Sequence, residues 1–379
     1  MLKEKEMFYK MMSNYFTNKK ITADYSENKE FLEKIAIANK CLPFFCECSK
    51  HVNIEPREEI KNLTLQIVAH NFRNLSVQNK IIAYLTENNI LCAVLKGASV
   101  AANYPEPILR SFGDIDLLVS KKDYEKTINL LLGENERDKI SSMHKFHYQL
   151  RIDGISVEIH NAVTHFSDNE LNAKKHMNDA IKECDMKTID CFEFPVLSEM
   201  FQAPALLLHT KTHYFENELT FRMLCDWAMF VDKISDELWN EKIYPTLKKL
   251  ELNKWADALN QVCKHYLNMP FKNKIHTFFE NVTIENLANE FISDALNDDT
   301  EKQKSSPIRN AITLINDIAI RDFSLIGVKK YLSPLFWPFI LIRYLYRCKI
   351  GIRRKINILE YANDYNIKEK IYREIQESN

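Results

Sequence analysis

Glycine is scarce in this chain: six in 379 residues, and four of them (Gly97, Gly113, Gly133 and Gly154) fall in one stretch. Glycine is the residue that tight turns and unusual backbone angles call for, so turns and strands are expected there and helices elsewhere. Nine cysteines are present, an odd number, and no two form a Cys-x-x-Cys pair. Cys41, Cys46 and Cys48 cluster, but at no usual zinc spacing, so reduced and mostly buried thiols are expected rather than a disulfide or metal framework. No apolar run reaches the roughly 20 residues a spanning helix needs. The charged start Met1-Leu2-Lys3-Glu4-Lys5 leads into no signal-peptide core, and a cytoplasmic location is expected. Charge of one sign is also missing: 52 acidic residues stand against 51 basic, a net charge of −1. The molecule as a whole is therefore no electrostatic nucleic-acid binder, and any basic surface is local. Repeats and low-complexity tracts are absent.

What is present is 46% hydrophobic residues, enough for real cores in two or three domains. Residues 1–55 read as a helical segment with a loop near Cys41-Leu42-Pro43. From Pro56 to about Asn88 the apolar spacing predicts a long amphipathic helix carrying Ile60, Leu63, Ile67, Val68 and Ile81. The run Ile90–Leu95 is short, apolar and halted by Lys96-Gly97, as a buried strand is, and a helix follows from Ala98 to Tyr104 before Pro105. Asp114–Val119 reads as a second strand. Ser120 and Asp123 open a helix that runs to Leu132 and Gly133. Phe146–Ile152 and Ile155–His160 flank Asp153-Gly154, a strong hairpin signal. The order is β-α-β-α-β-β, giving a core over 56–195. Beyond Leu197 the spacing is helical, giving a helical domain over 196–379. The fold class expected is α+β, a small mixed sheet with helical flanks.

Side chains alternate along a strand, so Asp114 and Asp116 share one face while Ile115 and Leu117 take the other. Two carboxylates so placed repel unless a cation lies between them, and a hard divalent ion with oxygen ligands, Mg²⁺ above all, suits the pair. On the hairpin, Ser156, Glu158 and His160 share the face opposite Ile155, Val157 and Ile159. If that strand pairs beside Asp114–Val119, Glu158 completes a three-carboxylate site; a solvated outer face is the alternative. At Lys96-Gly97 a strand delivers a glycine to a helix start, which offers N–H groups and a positive charge to an anion. An ordinary strand-to-helix turn has the same pattern.

Taken together, Leu95-Lys-Gly-Ala-Ser-Val-Ala-Ala-Asn-Tyr-Pro105, Leu109-Arg-Ser-Phe-Gly-Asp-Ile-Asp-Leu-Leu-Val119 and Val157-Glu-Ile-His160 resemble the uncharacterised nucleotidyltransferase family of the polymerase-β superfamily. Leu208-His-Thr-Lys-Thr-His213 and Arg222-Met-Leu-Cys-Asp226 resemble its helical motifs, and the likeness covers about 60–290. The resemblance implies that Asp114, Asp116 and Glu158 are catalytic and hold Mg²⁺ or Mn²⁺. It implies that Lys96, Gly97, Ser99, Arg110 and Gly113 belong to the nucleotide site. The reaction implied is attack by an acceptor on the α-phosphate of a nucleoside triphosphate such as ATP, with loss of pyrophosphate. Two departures are Ala98 after Gly97, where the superfamily favours Gly-Ser or Gly-Gly, and Glu158 where an Asp is usual.

Four-residue spacing of His209 and His213 is that of a zinc pair, but no Glu lies between and no third ligand is evident. Phosphate or acceptor contact by His209, Lys211 or His213 is expected ahead of zinc, and plain helix packing ahead of both. His144 and His147 are expected at the surface. Phe323–Leu359 lacks acidic residues and carries Lys329, Lys330, Arg343, Arg347, Lys349, Arg353, Arg354 and Lys355 beside Leu335-Phe-Trp-Pro-Phe-Ile-Leu-Ile342. A packed helix with a basic end is expected, with a weak contact to an anionic membrane as the alternative. The rival to an enzyme is a catalytically silent module that binds nucleotide or a partner. For the enzyme, Asp116→Asn is expected to lower transfer by at least roughly a hundredfold yet leave metal-free stability unchanged or slightly raised.

Overall fold

The computed structural model describes residues 3–17, 20–132, 147–163, 171–216, 218–292, 327–340 and 358–378, with isolated positions between 312 and 342. It is an α+β protein whose six-stranded mixed sheet runs in the order β3-β4-β2-β1-β6-β5. The strands are β1 (Cys92–Val94), β2 (Ile115–Val119), β3 (His147–Ile152), β4 (Ile155–His160), β5 (Cys184–Ile189) and β6 (Phe192–Leu197). At the centre β2 runs antiparallel to β1 and parallel to β4. The β3–β4 hairpin turns at Asp153 and Gly154, both at positive φ, which is the backbone a two-residue primed turn demands.

The β5–β6 hairpin was not expected from the sequence. It adds the other edge of the sheet, β6 lying parallel to β1 and β5 antiparallel to β6. Its turn, Asp190-Cys191, has no glycine, and Asp190 takes the positive φ itself. Pro195 sits inside β6, and most of β5 is exposed, so neither the turn nor the alternation signalled it.

One helix, α4 (Glu58–Glu87), spans the predicted amphipathic stretch and packs Leu75, Ile81, Ile82 and Leu85 on the sheet face formed by Val94, Ile115, Leu117, Val157 and Ile159. With α6 (Tyr124–Leu132), opened by Ser120 and Asp123 as expected, it seals that face. Gly133 lies outside the described residues. On the other face Ala93, Leu95, Leu118 and Leu197 meet Met177, Ala180 and Phe201, from α7 (Leu171–Met177), the turn after it and α8 (Glu199–Glu216). That apolar cover leaves Asp116, Glu158 and His160 on the same face as the site's polar patch.

Three N-terminal helices, α1 (Lys3–Phe16), α2 (Lys29–Ala38) and α3 (Leu42–Ser49), share a core with the C-terminal helices. Phe8, Tyr9, Phe44 and Phe45 belong to the same buried cluster as Phe221, Trp227, Trp239 and Trp255. The Tyr9 hydroxyl donates to the Ala288 carbonyl at 2.8 Å. The eight described cysteines are all unpaired, and Cys41 and Cys48 are buried.

In the basic C-terminal stretch, Gly327–Phe336 is a 3₁₀ helix. Among the described residues of the apolar run, Ile340 is buried, whereas Leu335, Phe339 and Ile342 are more than three-fifths exposed. Arg343, Arg347, Lys349, Arg353, Arg354 and Lys355 lie outside the described residues, as does His144. Among the described residues no helix is long and apolar enough to cross a membrane.

Candidate active site

The loop ahead of β2 is held by α4. Asn71 donates through Nδ2 to the carbonyls of Ile108 (2.7 Å) and Arg110 (2.9 Å), and its Oδ1 accepts from the Phe112 amide at 2.9 Å. One turn on, Asn74 donates to the Gly113 carbonyl at 2.9 Å. These amides fix the backbone that delivers Asp114 and Asp116, and buried loop carbonyls are satisfied in the process.

Asp116 lies in register with Glu158 on the parallel neighbour β4, and Leu118 with His160. Alternation therefore puts Asp116, Glu158 and His160 on one face. The buried Asp116 carboxylate receives the Lys96 ammonium at 3.0 Å and His160 Nε2 at 2.8 Å, both on Oδ1. His160 Nε2 also lies 3.4 Å from a Glu158 oxygen. One ligating atom from each of Asp116, Glu158 and His160 falls within 4.8 Å of the others.

The electrostatics divide the acids. Burial, then the charges of Asp116 and Glu158, raise Asp114 to about 6, with Lys96 opposing. Burial alone would raise Asp116 too, but Lys96 and the His160 hydrogen bond outweigh it and hold that carboxyl well below its ordinary range. The same contacts raise Lys96 and His160 against the depressing effect of burial.

Gly97 has φ +62° and ψ −108°, a backbone closed to side-chain-bearing residues, and starts the short α5 (Ala98–Ala101). A Cβ there would meet the Asp114 carbonyl at 3.8 Å, an ordinary contact, so the constraint is the backbone angle. Gly113 is exposed with nothing near a would-be Cβ. Ser99 is fully buried, and its hydroxyl has no hydrogen-bond partner among the described residues.

Arg110 is likewise turned inward. Its Nε and Nη2 grip the two Asp226 oxygens at 2.9 and 2.6 Å, and the Tyr104 hydroxyl donates to the same carboxylate at 2.7 Å. This buried cluster ties the end of α5 to α9 (Phe221–Lys233). Asp226 was legible in the sequence only as part of a motif; its partner was not. Arg222, also on α9, donates through Nη1 to the Ser111 carbonyl at 2.8 Å, and its buried Nε has no partner among the described residues. Burial and the neighbouring Arg110 charge lower it to about 10.

On α8 the two histidines part company with Lys211. Lys211 is half-buried, its ammonium 5.2 Å from the Tyr372 ring centre on the C-terminal helix. His209 feels both Lys96 and Asp116, and burial with the Lys96 and His213 charges pushes it well below its ordinary pKa, leaving a neutral imidazole beside the site. His209 and His213 stack edge to face with centres 4.3 Å apart. The ligand group that includes His213 comprises Glu216 and Glu218, both exposed, and not His209.

A glycine turn after β1, an acidic pair entering β2 and an acid in register on β4 are thus gathered in one site. Residues 26–268 match the family of uncharacterised nucleotidyltransferases, and the chain belongs to that family. No curated protein and no solved structure matches it.

Proposed function

We propose that this chain transfers a nucleoside monophosphate from a nucleoside triphosphate, ATP in the first instance, to an acceptor hydroxyl or similar group, releasing pyrophosphate. The observation that carries the reading is the pairing of Asp116 with Glu158 on parallel strands, with Asp114 two residues upstream, in a member of this family. The donor set fits a divalent cation: ligating atoms of Asp116 and Glu158 converge, and the nearby Asp114 is raised by burial and by their like charges, which a cation would relieve. Asp114, Asp116 and Glu158 would hold Mg²⁺ or Mn²⁺, which lowers the pKa of an acceptor hydroxyl and balances charge on the attacking and leaving oxygens.

The chain's own groups do the rest. Lys96 leaves Asp116 to pair with the triphosphate, guided by the Gly97 turn. Arg222, a cation whose only described hydrogen bond is to a carbonyl, adds positive charge from α9. Asn71, Asn74 and the Arg110–Asp226 pair fix the loop between them, so the acids keep their places during the reaction.

The silent-module reading takes the Lys96–Asp116 ion pair as a permanent structural contact. Purified protein incubated with each triphosphate, Mg²⁺ or Mn²⁺ and a fractionated extract separates the two by mass spectrometry. The proposal expects a nucleotide-sized mass increase on an acceptor. Nucleotide binding without any adduct or pyrophosphate supports the silent module. Exposed Leu335, Phe339 and Ile342 also favour a weak contact between 323–359 and an anionic membrane, within a cytoplasmic protein. Co-sedimentation with anionic but not neutral liposomes is the expected result; equal recovery with both removes that contact.

A further inference from the structure

The nitrogen at the centre of the acidic patch is as well placed as its oxygens. His160 follows Glu158 by two residues on β4, so the register that brings Glu158 beside Asp116 also brings the imidazole to the same face. Its Nε2 stands 2.8 Å from Asp116 Oδ1 and 3.4 Å from Glu158 Oε2, pointing between two carboxylates rather than away from them. Cation–ligand bonds of about 2.1 Å put adjacent ligands of one ion roughly 3 Å apart and opposite ones about 4.2 Å apart. The three atoms, all within 4.8 Å of one another, need only small adjustments to reach that geometry. Asp116 and His160 are 3% and 8% exposed, so their strand positions are fixed by packing.

We propose that His160 Nε2 is itself a metal ligand, together with Asp116 and Glu158, and that this mixed set favours a first-row transition cation such as Mn²⁺ over Mg²⁺. The inference rests on the reading of the acids as metal ligands given above. Mg²⁺ prefers oxygen and gives up its water reluctantly, whereas imidazole suits the later divalent ions. Lys96 shares Oδ1 with His160, but an ammonium has no lone pair to offer a metal. A cation entering the patch therefore keeps the imidazole and displaces the lysine. His209, neutral and on α8, is the competing nitrogen, and the test has to tell the two apart.

The full-length protein loaded with Mn²⁺ and no nucleotide gives a direct readout by electron spin-echo modulation. Nitrogen-14 modulation from a coordinated imidazole is expected in the native chain, is lost in His160→Gln and is retained in His209→Gln. Competition against Mg²⁺, read from free Mn²⁺ by electron paramagnetic resonance, should favour Mn²⁺ at least about tenfold, falling to within about threefold in His160→Gln. Bound Mn²⁺ without nitrogen modulation in the native chain overturns the proposal, whether or not the variant folds. Modulation that disappears only in His209→Gln also overturns it. Nitrogen coordination in a chain that transfers no nucleotide leaves this inference standing and removes the function proposed above. Transfer by a chain with oxygen-only Mn²⁺ does the reverse.

Discussion

Asp114, just before β2, and Asp116, within it, stand two positions apart and have opposite electrostatics. Asp116 is the buried anion that Lys96 and His160 share, so Asp116→Asn leaves two cationic or polar partners short of a charge. Those contacts argue against the expectation that metal-free stability would hold or rise slightly in this variant. A loss on the order of 1–3 kcal/mol in metal-free denaturant melts is predicted, reduced from a fully buried pair because Lys96 is 30% exposed. Relief of repulsion belongs to Asp114 instead. Its ordinary pKa of 3.8 rises to about 6 on folding, so the folded chain binds the extra proton between those values. Stability should therefore fall as pH rises from about 4 to about 6, by at most about 3 kcal/mol. The lowered Asp116 acts below that window and the raised His160 above it. Asp114→Asn should flatten the slope, and an unchanged pH profile in that variant would show that Asp114 is not the group responsible. The shared face of Asp116 and Glu158 was legible because strand alternation is rigid, whereas Asp114 lies just before β2 and the partners of Lys96 and Arg110 depend on contacts more than ten residues away.

Among the elements, α4, α5 and α9 do the positioning. Arg110 and Asp226 lie 116 residues apart, and their bidentate buried pair joins the loop before β2 to α9. Removing one partner of such a pair strands the other, so Arg110→Met should cost about 3–5 kcal/mol in chemical denaturation. The double variant with Asp226→Leu should recover part of that loss; full additivity of the two would mean that the side chains act independently. Gly97→Ala tests the turn: with room for the Cβ but a forbidden angle, it should cost on the order of 1–3 kcal/mol and weaken triphosphate binding. A melting curve and nucleotide affinity equal to the parent's would contradict the backbone argument. The β1, β2 and β3–β4 segments were readable from apolar runs and Asp153-Gly154. The β5–β6 hairpin was not, because its edge strand is exposed and its turn uses Asp190 where glycine would have been a signal.

At the scale of the whole molecule, the N-terminal helices complete the core of the C-terminal ones. Asn39 accepts from the Phe221 amide at 3.2 Å, and Phe8 and Tyr9 pack their rings on Phe221. A chain beginning at residue 56 should therefore lose cooperative melting of its helical signal; a sharp, parent-like transition would show that 1–55 is dispensable. This dependence was hidden in the sequence, since amphipathic helices announce an apolar face but not which face covers it. All of these parts serve one claim, that the site moves a nucleotidyl group and no other. The most direct test gives the protein α-labelled and γ-labelled triphosphate in parallel, with Mn²⁺ and an acceptor-bearing extract, and repeats both with Asp116→Asn. Label from the α position should appear on an acceptor and label from the γ position only in pyrophosphate, with the variant slower by at least about a hundredfold. Transfer of the γ label to the acceptor, or α transfer at the parent rate by the variant, would contradict the account.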